Sequence, residues 1–202
     1  MGREAKARAL RHAGRARTSL IYDLRLNFAI RNPQSALAIV ALGSNLGNSR
    51  QILLRAMERL EELSAQPLLR SSLWQTSPVD CPPGSPKFVN AVVGLTPRAN
   101  ETPETLLAKL QALEKEAGRQ PKKVLNEPRP LDLDLIAFGP EIRSTPGLTL
   151  PHTRAHLRRF VLQPLAEIAP RFALPGRHLT VAQLLAHLEN DETVQRLSTP
   201  TT

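Results

Sequence analysis

The segment Pro128-Arg-Pro-Leu-Asp-Leu-Asp-Leu135 sets two carboxylates, Asp132 and Asp134, in strict alternation with three leucines. On a strand, successive side chains leave on opposite faces. Leu131, Leu133 and Leu135 then share a face suited to a core, and Asp132 and Asp134 share the other. Two carboxylates about 7 Å apart on one face repel each other unless a cation lies between them. Hard oxygen ligands suit Mg2+, which one or two carboxylates hold while substrate phosphates complete its shell. A solvated acidic strand face fits the same residues. The neighbourhood favours the first reading. Arg119, Lys122, Lys123 and Arg129 come before the acids, and His152, Arg154, His156, Arg158 and Arg159 follow Pro151. Acids that hold a metal, flanked by guanidinium groups, are what polyphosphate chemistry requires.

Other candidates are weaker. His152 and His156 stand four apart, a spacing that can pair zinc ligands on a helix. Pro151 and the missing glutamate of a zincin motif argue against that reading. Gly43-Ser-Asn-Leu-Gly47 follows an apolar run, but no G-x-x-x-x-G-K-[ST] motif and no kinase glycine loop occur anywhere. ATP, if used, is used without a P-loop. Cys81 lies in a proline-rich loop with no base marked for it and reads as a bystander thiol.

The elements that must position these residues come from a chain of 202 residues, 41% apolar and 3% aromatic. The core must therefore be built from Leu, Val, Ile and Ala. The longest uncharged apolar stretch, 35–42, is strand-sized, so no membrane span is expected. A single cysteine excludes an internal disulfide framework and fits a reducing compartment, with the cytoplasm as the expected location. The net charge of +9 is uneven: residues 1–36 carry eight basic and two acidic side chains, +6 of the total. Residues 1–35 read as a basic, disordered extension without a role in the chemistry, and 36–202 as one domain. A nucleic-acid or membrane-surface arm, a transit peptide and an upstream start codon are the other readings of the extension.

Ala36–Leu42 reads as a buried strand, Gly43–Asn48 as a turn, and the stripe from Ile52 to Leu63 as a helix capped by Asn48 or Ser49. Pro67–Thr76 reads as a strand, 77–86 as a loop and Val89–Leu95 as a strand. Thr102 caps a helix that runs to about Ala117, with Pro103 in its first turn and Gly118 ending it. Residues 119–130 form a basic loop and Leu131–Phe138 a strand. Arg158–Ile168 and Val181–Leu188 look helical. The order β-α-β-β-α-β implies an α+β, ferredoxin-like sandwich with an antiparallel sheet and helices on one face.

Four segments occur together and in order: Ala41-Leu-Gly-Ser-Asn-Leu-Gly47, Phe88-Val-Asn-Ala-Val92, Pro128-Arg-Pro-Leu-Asp-Leu-Asp134, and Leu150-Pro-His152 with Arg158-Arg-Phe-Val-Leu-Gln-Pro-Leu165. Over residues 37–190 the chain resembles the 6-hydroxymethyl-7,8-dihydropterin pyrophosphokinases. The resemblance implies transfer of the β,γ-diphosphate of ATP to the pterin hydroxymethyl group in folate biosynthesis, leaving AMP, with two Mg2+ ions on Asp132 and Asp134. Arg119, Arg129 and Arg158 would be catalytic. Gln111, Glu114, Leu135, His152 and Thr153 would contact ATP. Thr76, Pro78, Val79, Phe88, Asn90 and Phe160 would form the pterin pocket. Some members have a tryptophan where Asn126 stands here, so the lid must seal differently. A monomer acting on small molecules is expected, with no nucleic acid and no membrane as partner. An RNA-binding module of the same fold would need exposed aromatics where this chain has acids, and a degenerate scaffold would not need the intact acids and arginines. Removing either aspartate charge should relieve repulsion and leave metal-free stability unchanged or higher.

Overall fold

The computed structural model describes residues 37–120, 127–190 and 192–198. The basic extension, Lys122, Lys123 and Asn126 lie outside the described residues.

The apolar run after Ala36 forms β1 (Ala38–Ser44), buried at every position. A strand without polar alternation needs cover on both faces, and β1 has it. Ala38, Val40 and Leu42 enter one core with Leu53, Met57 and Leu60 of α1 (Ser49–Leu63) and Leu106, Leu110 and Leu113 of α2 (Pro103–Glu116). Ile39 and Ala41 enter a second core with Val161, Leu162 and Leu165 of α3 (Arg159–Ile168) and Val181 of α4 (Val181–Ala186). The helices therefore cover both faces of the sheet, not one. Amphipathic periodicity shows that a helix has an apolar stripe, but not which face of the sheet receives it.

The remaining strands are β2 (Leu69–Arg70), β3 (Trp74–Thr76), β4 (Phe88–Leu95), β5 (Asp132–Phe138), the hairpin β6 (Arg143–Thr145) and β7 (Leu148–Leu150), and β8 (Val194–Arg196). The main sheet runs β5-β1-β4-β3-β8, with β2 also on β4, and each pairing is antiparallel. The ferredoxin-like order expected from the sequence is its centre.

Three expectations need correction. Pro67–Thr76 is two short strands, because Ser71 interrupts the ladder: its hydroxyl accepts the Val92 N–H at 2.9 Å. The last helix ends at Ala186 rather than Leu188. Strands β6, β7 and β8, three residues each, carried too little pattern to be seen. The caps agree. The Asn48 side chain accepts from Gln51 N, and Thr102 and Thr105 cap α2 reciprocally.

Candidate active site

The site exists because the second face of the sheet runs out of apolar cover. Ala41, Val92 and Ile136 lie in the α3 core. Farther along the same face come Gly43 of β1, Asn90 and Phe88 of β4, Thr76 of β3, and Asp134 and Asp132 of β5. Gly43 stands opposite Asn90 on one side and Asp132 on the other, and Thr76 stands opposite Phe88. Over this strip opens a cavity of about 350 Å³. His152, Arg158 and Phe160 line it from the start of α3. Leu107, Gln111 and Glu114 of α2 line it from the β5 edge, and Ser77, Val79 and Cys81 from the loop after β3.

The pattern of β5 is the one the leucine–aspartate alternation required. Leu131, Leu133 and Leu135 are buried in the α1/α2 core. A bulge follows: Val40 faces Leu135 and Ile39 faces Ala137, so Ile136 is unpaired opposite β1. It turns both Ile136 and Ala137 into the α3 core, and the polar face ends after Asp134.

Asp132 is bracketed by arginines, Arg119 at 2.7 Å and Arg129 at 2.5 Å. Asp134 is half-buried and has no hydrogen-bond or ion-pair partner among the described residues. Burial and the charge of Asp132 raise its carboxyl above the usual range, against the pull of His152, Arg158 and Arg129. Burial likewise lowers His152, aided by Arg158 and Arg154. Its Nδ1 accepts from the Arg154 N–H at 3.3 Å, so the neutral ring carries its proton on Nε2.

Glu114 also has a structural task. It accepts from the outward N–H of Leu133 at 2.7 Å, pairs with Arg119, and so ties the edge strand to α2. Its carboxyl is raised by burial, partly offset by those two partners. Asn45 does similar work for Arg129. Its Oδ1 accepts from Arg129 N at 2.9 Å, its N–H donates to Arg129 O at 3.2 Å, and its Nδ2 reaches Pro86 O at 3.4 Å. The Arg129 Nε is buried without a partner among the described residues, and its guanidinium lies 5.4 Å from the Phe88 ring. Arg158 lies 5.3 Å from the Phe160 ring.

The donor set suits Mg2+. Among the described residues no group of three or more His, Cys, Asp or Glu side chains could hold a metal. Asp132 and Asp134 would be two carboxylate ligands among the described residues, with the other positions left to phosphate and water, the usual arrangement for this ion.

Of the expected site residues, Asp132, Asp134, the three arginines, Gln111, Glu114, His152, Thr76, Val79, Phe88, Asn90 and Phe160 all line the cavity. Three do not. The Leu135 side chain is in the core on the opposite face, because it belongs to the leucine register of β5. Thr153 is exposed beyond His152, and Pro78 sits between Ser77 and Val79 without lining the cavity. Gly43, Asn45, Ser77, Cys81 and Leu107 were missed. For the first two the signal was the Gly-Ser-Asn-Leu-Gly motif, read as a turn and as part of the family resemblance, without roles for its residues.

Gly43 is there for close approach. A Cβ at this position would stand 3.0 Å from Asn90 Oδ1 and 3.8 Å from the Asp132 Cβ. Gly43→Ala should therefore displace the Asn90 carboxamide, with an overpacking cost of about 1–3 kcal/mol. With Asn90 at the pterin edge, as the resemblance implies, pterin affinity should fall while the ATP affinity changes little. Equal loss of both in a binding titration would contradict this placement.

The family pattern of 7,8-dihydro-6-hydroxymethylpterin-pyrophosphokinase matches residues 39–170. A Pseudomonas aeruginosa 2-amino-4-hydroxy-6-hydroxymethyldihydropteridine pyrophosphokinase is 42% identical over 142 residues, 69% of this chain and 85% of that protein. The enzyme of the same name from Synechocystis is 37% identical over 152 residues, 75% and 76% of the two chains. Among solved structures, the wild-type Plasmodium falciparum HPPK-DHPS with pteroate aligns at TM-score 0.57 and 14% identity, covering 74% of this chain and 42% of that one. That likeness speaks for the fold. The family match and these relatives define a diphosphate transferase. The chain belongs to the 7,8-dihydro-6-hydroxymethylpterin-pyrophosphokinase family. It is an ATP-dependent pyrophosphokinase that acts on the pterin in folate biosynthesis. Among the described residues no helix is long and apolar enough to cross a membrane.

Proposed function

We propose that Asp132 and Asp134 hold two Mg2+ ions with the ATP triphosphate, and that the pterin lies at the Asn90–Phe160 end of the cavity. The observation that carries this reading is Asp134: a half-buried carboxylate without a hydrogen-bond or ion-pair partner among the described residues, on the same strip of sheet as Asn90. Mg2+ would neutralise phosphate charge and orient the β-phosphorus for in-line attack.

The chain's own groups do the rest. Asn90 Nδ2 donates to Thr76 Oγ1 at 2.7 Å, which fixes the carboxamide and leaves Oδ1 as acceptor for an N–H of the pterin edge. Phe88 and Phe160 supply apolar faces for a flat ring. Arg119 and Arg129 hold Asp132 in the ligand-free chain and transfer to the triphosphate when it arrives, while His152 and Arg158 bind from the α3 side. The pterin hydroxyl oxygen attacks the β-phosphorus, the bond from that phosphorus to the α–β bridging oxygen breaks, AMP departs and the hydroxyl proton leaves to solvent. Among the described residues none is assigned as base to the hydroxyl, and positioning and charge neutralisation supply the rate.

One cysteine supports the cytoplasm as the chain's place, and 36–202 as a single catalytic domain leaves the basic extension outside the chemistry.

Phe160→Ala tests the pocket. It should weaken pterin binding by about 1–3 kcal/mol, by analogy with base stacking, and leave kcat at saturating pterin near wild type. Unchanged pterin affinity would remove Phe160 from the pocket.

A further inference from the structure

The family match ends at residue 170, yet the chain beyond it returns to the active site. Strand β8 adds to the edge of β3, with Val194 opposite Thr76, and Ser77 N donates to Thr193 O at 3.3 Å. Just before β8, the chain reaches the start of α3. Arg159 donates through Nη2 to Leu188 O at 2.9 Å and through Nε to Asn190 Oδ1 at 3.3 Å. Asn190 Nδ2 donates to Leu157 O at 3.3 Å, and Glu192 Oε2 accepts from Phe160 N at 3.1 Å.

Helix α3 has no cap of its own. Its N-cap residue, Arg158, makes no side-chain cap bond. First-turn N–H groups have no intrahelical acceptor, and a carboxylate there is favoured by its hydrogen bond and by its charge. Glu192 supplies that acceptor from 32 positions downstream, on the backbone N–H of the residue whose ring lines the pocket.

We infer that Glu192 is a positioning residue for pterin binding: it fixes the first turn of α3 and thereby the placement of the Phe160 ring. This rests on the reading of Phe160 as a pterin-contacting ring. Arg158 shares the turn and lies on that ring, so a frayed first turn would displace both walls of the pocket.

The test is pterin titration of wild type, Glu192→Ala, Glu192→Gln, Phe160→Ala and the Glu192→Ala/Phe160→Ala double variant, with thermal midpoints beside each. Loss of the cap should weaken pterin binding about fivefold in Glu192→Ala, the usual size for a helix cap. Glu192→Gln keeps an oxygen acceptor and should restore most of the affinity. The losses in the double variant should be less than additive, because Glu192 acts mainly through that ring. A Glu192→Ala protein with a lower thermal midpoint and wild-type pterin affinity would overturn the inference, as would additive losses in the double variant. If Phe160→Ala itself bound pterin normally, the stacking role would fail and the inference with it. Normal binding by Glu192→Ala beside weak binding by Phe160→Ala would sink the inference alone.

Discussion

Asp134→Asn should lower kcat by about 10³-fold or more, since a metal ligand in phosphoryl-type chemistry carries several kcal/mol of transition-state stabilisation. The folded protein should not suffer. Burial and Asp132 already disfavour the Asp134 charge, and its side chain has no partner among the described residues. Its metal-free thermal midpoint should hold or rise. Asp132→Asn should be equally inactive but less stable, by about 1–3 kcal/mol, because it surrenders charged hydrogen bonds to Arg119 and Arg129. The expectation that both variants escape a stability loss is therefore corrected for Asp132. Repulsion between the acids was legible as alternation, but the two clamping arginines were not. Steady-state rates with Mg2+ and melting curves in chelator check both statements. Retained turnover in either variant would refute the metal assignment.

Arg129→Ala should lower kcat by about 10²–10³-fold, or ~3–4 kcal/mol, with KM for ATP little changed. The guanidinium is held by Asp132 and by Glu127 O, so binding phosphate would replace one set of charged contacts with another. Its gain comes as charge moves onto the leaving phosphate. The same variant frees one side of Asp132, so the Mg2+ concentration for half-maximal rate should fall. Single-turnover rates separate the chemical step from binding. A variant with a normal chemical rate but weak pterin binding would reverse the roles given to Arg129 and to the pocket.

Much of this arrangement follows from local pattern. The Leu131-Asp-Leu-Asp134 alternation set the faces of β5, and the unbroken run after Ala36 marked a buried strand. Side chains at Asn48 and Thr102 marked two helix starts. What stayed hidden depends on tertiary contact. The bulge at Ile136 turns an expected alternation into two consecutive core residues. Ser71 breaks a strand through a bond to Val92, 21 positions away. The bond from the Leu133 N–H to the Glu114 carboxylate joins residues 19 apart and left no mark in the local pattern. Asn45 was part of a turn motif, and only the fold brings it against Arg129, 84 residues on. Leu135 and Thr153 were carried over by motif position, and their side chains point into the core and onto the surface.

The most direct test of the whole site is the identity of the nucleotide product. With Mg2+, ATP and 6-hydroxymethyl-7,8-dihydropterin, the wild-type chain should release AMP and the pterin diphosphate in equal amounts, with neither product formed when the pterin or Mg2+ is left out. Release of ADP, or AMP formed without the pterin, would contradict attack at the β-phosphorus by a hydroxyl held on this sheet face.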